Sequence, residues 1–160
     1  GEFGHLVVDP NGPLCDCGKR GCLESILSDR ALVAAAKREV GQDVESLDDL
    51  IRQAEAGQPA ALAILERVGR LLGQQMANLV NLLDPKLILI SGEGIRMGSR
   101  FFEPLRTAFR EGVMSGLAED TEIRVDSWGD DIWALGAASL VIAAIFNAPV
   151  QKEESAVRKT

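Results

Sequence analysis

The chain opens on Gly1-Glu2-Phe3-Gly4-His5 and continues, after nine intervening residues, into Cys15-Asp16-Cys17-Gly18-Lys19-Arg20-Gly21-Cys22-Leu23-Glu24. These two stretches hold all three cysteines and the only histidine of the 160 residues. Three thiols and one imidazole are the donor set of a closed tetrahedral zinc site, whose ordinary role is to fix a loop rather than to react. The local spacing suits that role. Cys-x-Cys followed by Gly18 can fold into a tight turn that aims two sulfurs at one point, and Gly21 gives the backbone freedom just before the third. The expected ligands of a structural Zn2+ ion are His5, Cys15, Cys17 and Cys22. Two other readings stay open at this point: two of the cysteines joined as a disulfide, although three cannot all pair within one chain, or small buried thiols that only fill a core.

Composition bounds the rest. With 46% hydrophobic residues, the chain can bury one sizeable core and is expected to be one lobe, over residues 1–150, followed by a polar, disordered tail over 151–160. No apolar run approaches the roughly 20 residues that span a bilayer, so no membrane partner and a cytoplasmic location are expected. A net charge of −7 argues against this chain by itself gripping a phosphate backbone, which takes clustered Lys and Arg.

Beyond the cysteine segment (1–24), periodicity predicts a helical region over 25–83 and then a strand-helix-strand-helix region over 84–147. One helix is expected from about Glu24 to Val40, ended by Gly41. A second runs from Ser46 to about Ala56, with Ser46 as cap and Asp48 and Asp49 in the first turn, where carboxylates oppose the helix dipole favourably. The longest starts at Pro59 and carries Leu62, Leu65, Leu72, Met76, Leu79 and Leu83 at helical spacing up to Asp84-Pro85. Leu87-Ile88-Leu89-Ile90 then reads as a strand buried on both faces. A helix over about 101–113, a strand over 123–126 and an apolar helix over 132–146 complete an α/β layer with at least two neighbouring strands.

The two opening stretches resemble the Glu-x-Gly-His and Cys-x-Cys-Gly-x-x-Gly-Cys-Leu-Glu motifs of the ROK family, at the family's spacing. That family joins sugar-responsive repressors with bacterial sugar kinases on an actin-like ATPase (ribonuclease H-like) fold. Asn81-Leu82-Leu83-Asp84-Pro85-Lys86-Leu87-Ile88-Leu89-Ile90-Ser91-Gly92 is similar to the helix-to-strand passage of the family's second lobe, and Ala134-Leu135-Gly136-Ala137-Ala138 to its final helix. The resemblance implies the second lobe of that fold with a zinc-bound loop. It also implies that Glu2 and Glu24 contact sugar hydroxyls, and that His5 both holds zinc and touches the sugar. The chemistry is coherent: carboxylates accept from vicinal hydroxyls, and an imidazole with one nitrogen on a metal donates from the other.

The family's Asp-x-Gly-x-Thr phosphate loop, its Asn-Asp pair with the catalytic base, and its Gly-Thr-Gly-rich loop do not occur in these 160 residues. On the resemblance, the chain is a fragment with no catalytic residue, inert by itself because phosphoryl transfer needs both base and phosphate cradle. After the buried strand, family kinases usually carry Gly-Gly-Gly. Here the stretch is Ser91-Gly92-Glu93-Gly94, and a carboxylate near nucleotide phosphates is repelled by on the order of 1 kcal/mol. That favours a repressor parent, as does the likeness of Trp128-Gly129-Asp130-Asp131-Ile132-Trp133-Ala134-Leu135-Gly136-Ala137 to actinobacterial-type regulators of the family. The expected function is the sugar-effector-binding and oligomerisation lobe of a homodimeric or homotetrameric regulator that reaches DNA through an absent N-terminal domain. The alternatives are the lobe of a glucokinase-like sugar kinase, for which ATP and Mg2+ would be cofactors, and a zinc-stabilised oligomerisation module with no sugar response.

Overall fold

A computed structural model describes residues 1–126 and 132–146 of the chain, which divides into two compact units, residues 1–126 and 127–160. The expected tail over 151–160, and residues 128–131 of the regulator-like stretch, lie outside the described residues.

In the first unit the single helix expected from Glu24 to Val40 is two helices, α1 (Leu23–Leu27) and α2 (Asp29–Glu39). Ser28 divides them. Its backbone is extended (φ −63°, ψ 152°), and its hydroxyl accepts from the Ala31 N–H at 3.4 Å, so a capping serine restarts the helix in a new direction. Asp29 in the first turn of α2 completes a start signal that the apolar run Ala31 to Ala36 masks.

The following helix, α3 (Leu47–Glu55), carries a reciprocal capping box: Ser46 Oγ accepts from the Asp49 N–H, and Asp49 Oδ2 accepts from the Ser46 N–H at 2.8 Å. The Asp49 carboxyl is held below the usual carboxylate range, first by the Glu45 backbone N–H and then by the Ser46 hydroxyl. A depressed native pKa stabilises fully above the unfolded value of about 4 and stops stabilising as pH falls through the lower native value. Asp49→Asn is therefore expected to lower the melting temperature at pH 7 and to lose that effect toward about pH 2. Thermal scans across this range check the prediction, and an equal penalty at both ends contradicts it.

The 25-residue α4 (Pro59–Leu83) starts with proline in its first turn and stops at Asp84, whose left-handed backbone (φ 44°) precedes Pro85. It packs along α5 (Ser99–Gly112). The core of the unit gathers Leu32, Val44, Leu50, Ile64, Leu65, Val80 and Leu105 from α2, α3, α4, α5 and the α2–α3 loop, all fully buried.

Strands β1 (Leu87–Ile90) and β2 (Glu122–Val125) pair in parallel, with Ile88 opposite Ile123 and Ile90 opposite Val125. The connection between them carries α5 and the short α6 (Leu117–Asp120), as a parallel pair requires a crossover. Ile88, Ile90, Ile123 and Val125 pack against the helical core. Leu87 and Leu89 are 44% and 46% exposed, which corrects the expectation of a strand buried on both faces. A continuous apolar run marks a strand suited to double burial, but helices of this unit cover only one side of the sheet.

Past β1, a 3-10 turn (Glu93–Met97) brings Arg96 to Asp29 of α2 at 3.2 Å and Asp48 of α3 at 3.5 Å, with Glu93 at 3.8 Å. In the second unit α7 (Ile132–Phe146) contains no charged residue. Among the described residues, no helix is long and apolar enough to cross a membrane.

Candidate functional site

The segment from His5 to Glu24 is a loop folded back on itself, with antiparallel bridges between Val7 and Cys22 and between Leu14 and Arg20. Leu6 and Val8 flank a bridge between Val7 and Cys22, and the Leu23 N–H donates to Leu6 O at 2.9 Å, so the chain ends of the loop lie side by side. At its far end, the Cys15 N–H donates to Lys19 O at 2.8 Å and the Gly18 N–H to Cys15 O at 2.9 Å, closing a tight turn in which Gly18 has φ +87°. Gly21 is demanded twice over: its φ is +64°, and a Cβ there would lie 1.5 Å from Asp9 O. Only glycine lets the two strands of the loop approach so closely.

This path brings together the four residues expected as ligands. Cys15 Sγ lies 3.6 Å from His5 Nδ1, Cys17 Sγ lies 3.6 Å from Cys22 Sγ, and all four donor atoms fall within 4.8 Å of one another. Zinc bonds of about 2.3 Å to sulfur and 2.0–2.1 Å to nitrogen give tetrahedral edges of about 3.5–3.8 Å. The donor set and its spacing therefore fit such an ion. His5 is anchored through its backbone, where its carbonyl accepts from Lys19 Nζ at 2.8 Å; nothing in the spacing of the sequence points to that bond.

The three thiols stand in different surroundings. Cys15 and Cys22 are buried, whereas Cys17 is exposed, and none is in a disulfide. Burial, reinforced by the neighbouring thiols, pushes Cys22 up to about 11, while the Lys19 backbone N–H holds Cys17 below its ordinary value. A buried thiol with two others beside it keeps its proton until a cation takes its place.

Of the residues expected to touch a sugar, Glu24 and His5 are adjacent. Glu24 sits in the first turn of α1, and its Oε2 lies 3.2 Å from His5 Nδ1. Both short approaches are to Nδ1, so a metal held on that nitrogen would leave Nε2 as the donor. Glu2 precedes the 3-10 turn Phe3–His5, and its carbonyl accepts from the His5 N–H at 3.1 Å. Its side chain has no hydrogen bond or ion pair among the described residues. Beside the loop, a cleft of about 320 Å³ is lined mainly by apolar side chains of α1, α2 and α4, with Arg38 and Arg67 at its rim, and includes neither His5 nor Glu24.

Fold and site together define an α/β lobe that carries a Cys3His cluster against the first turn of a helix. The chain belongs to the ROK family, whose model matches residues 1–144. It is 32% identical over 155 residues to a glucokinase of Halalkalibacterium halodurans, covering 88% of this chain and 47% of that enzyme. It is 31% identical over 142 residues to the xylose repressor of Bacillus subtilis, covering 89% of this chain and 36% of the repressor. Among solved structures, a ROK family glucokinase from Streptomyces griseus in complex with glucose and AMPPNP superposes with a TM-score of 0.72 at 29% identity, covering 88% of this chain and 50% of that one. The fold is thus the actin-like ATPase lobe of ROK proteins, and the chain spans half or less of the length of these relatives.

Proposed function

We propose that this chain is the sugar-effector-binding lobe of a ROK transcriptional regulator, with a structural zinc ion held by His5, Cys15, Cys17 and Cys22. Zinc would fix the loop and orient the His5 ring without reacting, leaving Nε2 to donate to a sugar hydroxyl while Glu24, and Glu2 beside the same turn, accept from others. The observation that carries the sugar reading is the 3.2 Å approach of Glu24 to the metal-facing side of His5, which puts a hydroxyl acceptor and an oriented imidazole side by side. The similarity to a glucokinase solved with glucose supports the same chemistry.

Glu93 favours the regulator over the kinase. Arg96 lies near it but is shared with Asp29 and Asp48, so three carboxylates surround one guanidinium and the turn after β1 keeps net negative charge. Nucleotide phosphates are unwelcome there. A regulator would reach DNA through a further domain and act as a homodimer or homotetramer, sugar binding shifting the population between two arrangements of its DNA-binding domains. The kinase reading has its own support in the glucokinase similarity, and under it ATP and Mg2+ would be cofactors.

The test is calorimetry of the protein bearing this chain with glucose and with xylose. Removing one charged hydrogen-bond acceptor costs about 1.5–3 kcal/mol, so Glu24→Gln is expected to weaken sugar binding roughly 10- to 100-fold with zinc content unchanged. Wild-type binding that Glu24→Gln leaves intact overturns the sugar site. ATP-dependent phosphorylation of either sugar by the same protein overturns the regulator reading in favour of the kinase.

A further inference from the structure

The three cysteines of the cluster are alike in sequence but unequal in access. Cys17 is exposed, Cys15 is 4% exposed, and Cys22 is completely buried. The exposed sulfur is also the one 3.6 Å from Cys22 Sγ. Oxidation of a thiolate starts where a reagent reaches it and ends where a second sulfur stands within reach. From this arrangement we infer that Cys17 is a redox-modification site: a hydroperoxide oxidises it, Cys22 resolves it as an intramolecular disulfide, and the cluster releases its metal. The inference rests on the zinc reading for the released ion, and on the sulfur geometry alone for the disulfide.

The step balances. The Cys17 thiolate attacks the peroxide O–O bond, forming a sulfenic acid and expelling hydroxide. Cys22 then attacks the Cys17 sulfur, as a thiolate where a metal has taken its proton and otherwise giving that proton up, so that the S–S bond forms and the sulfenic oxygen departs as hydroxide or as water. The two sulfurs lose two electrons in all, and the peroxide gains them. Cys15 and His5 alone cannot close a tetrahedral site, so a Zn2+ ion held by the cluster would be released. Partner choice follows from the sulfur positions. Cys17 Sγ stands 3.6 Å from Cys22 Sγ, whereas Cys15 Sγ is turned to His5 Nδ1 at 3.6 Å.

Because Cys22 precedes α1 and Glu24 lies in its first turn, losing the metal would remove what orients His5 beside Glu24, the residues proposed to read the sugar. The lesion is reversible: a dithiol reductant breaks the bond, and added Zn2+ restores the site.

The experiment uses the reduced protein bearing this chain, with its metal content first measured by elemental analysis, then titrated with hydrogen peroxide. A chromogenic chelator reads zinc release, and alkylation with peptide mass mapping reads the thiols. The expected result is stoichiometric zinc release, a loss of about 2 Da within one peptide pair joining Cys17 to Cys22, and an alkylatable Cys15. Cys17→Ser is expected to abolish the disulfide. The wild-type map stands by itself should that variant fail to fold. A bond that includes Cys15, sulfinic acid at Cys17, or zinc retained after peroxide overturns the inference. Protein isolated without zinc that nevertheless forms the Cys17–Cys22 bond overturns the zinc reading and upholds the modification site.

Discussion

Replacing Cys22 with Ser is expected to empty the proposed zinc site and to lower the melting temperature by roughly 5–10 °C. Cys22 is fully buried, its Sγ stands 3.6 Å from Cys17 Sγ, and its carbonyl accepts from Ser25 Oγ at 2.7 Å where α1 begins. Serine keeps the shape but offers an alcohol that does not ionise near neutral pH. Disturbing an outer-shell partner alone already weakens metal binding 10- to 100-fold, so losing a direct ligand weakens it by at least about 100-fold. Each factor of 100 in ligand occupancy is worth about 2.7 kcal/mol of native-state stabilisation, and a chain of this length shifts by about 2–4 °C per kcal/mol. Elemental analysis and a thermal scan with and without chelator check both parts. Chelator should lower the wild type toward the variant and leave the variant unmoved; equal melting curves for all four samples would sink the zinc site.

Gly73→Ala is the second large expected effect, and its sign is opposite to that of an isolated helix. In α4 taken alone, alanine is better than glycine by about 1 kcal/mol. In the folded unit a Cβ at position 73 would stand 2.1 Å from Leu105 O, 2.9 Å from its carbonyl carbon and 3.1 Å from its Cα. One turn earlier, a Cβ at Gly69 would stand 2.4 Å from Phe101 O. These are backbone atoms of α5, which cannot swing aside as a side-chain tip does. The helices must part, and Leu105, Phe101, Met76 and Ala77, all buried, lose packing together. Overpacking of this kind costs about 1–3 kcal/mol or more, which outweighs the propensity gain. Urea denaturation is expected to show a lower midpoint for Gly73→Ala, and a smaller second penalty when Gly69→Ala is added, because the helices are already parted. A Gly73→Ala protein as stable as wild type would mean that α4 and α5 do not approach this closely.

Much of this fold is legible in the chain. The limits of α3, α4, α5 and both strands follow from caps, apolar periodicity and the Asp84-Pro85 stop to within about two residues. Where the reading failed, a local signal was outvoted: Ser28-Asp29 starts a new helix inside a run whose alanines and valines look uninterrupted. The cluster was legible because its four donors are the chain's whole supply of cysteine and histidine. Lys19 on His5 O, Arg96 against Asp29, and the approach of Gly73 to α5 were not, since the first two join residues 14 and 67 positions apart and the third depends on how two helices meet.

By itself, then, the sequence determined which residues are ligand types, where elements start and stop, and the family to which they belong, because short-range spacing and side-chain chemistry carry that information. Only the tertiary structure decided that β1 is covered on one face within its unit, that His5 turns Nδ1 toward Cys15 and Glu24, and that of three cysteines Cys17 alone meets solvent. These depend on which surfaces distant segments bring against one another, and no local pattern encodes the accessibility that results.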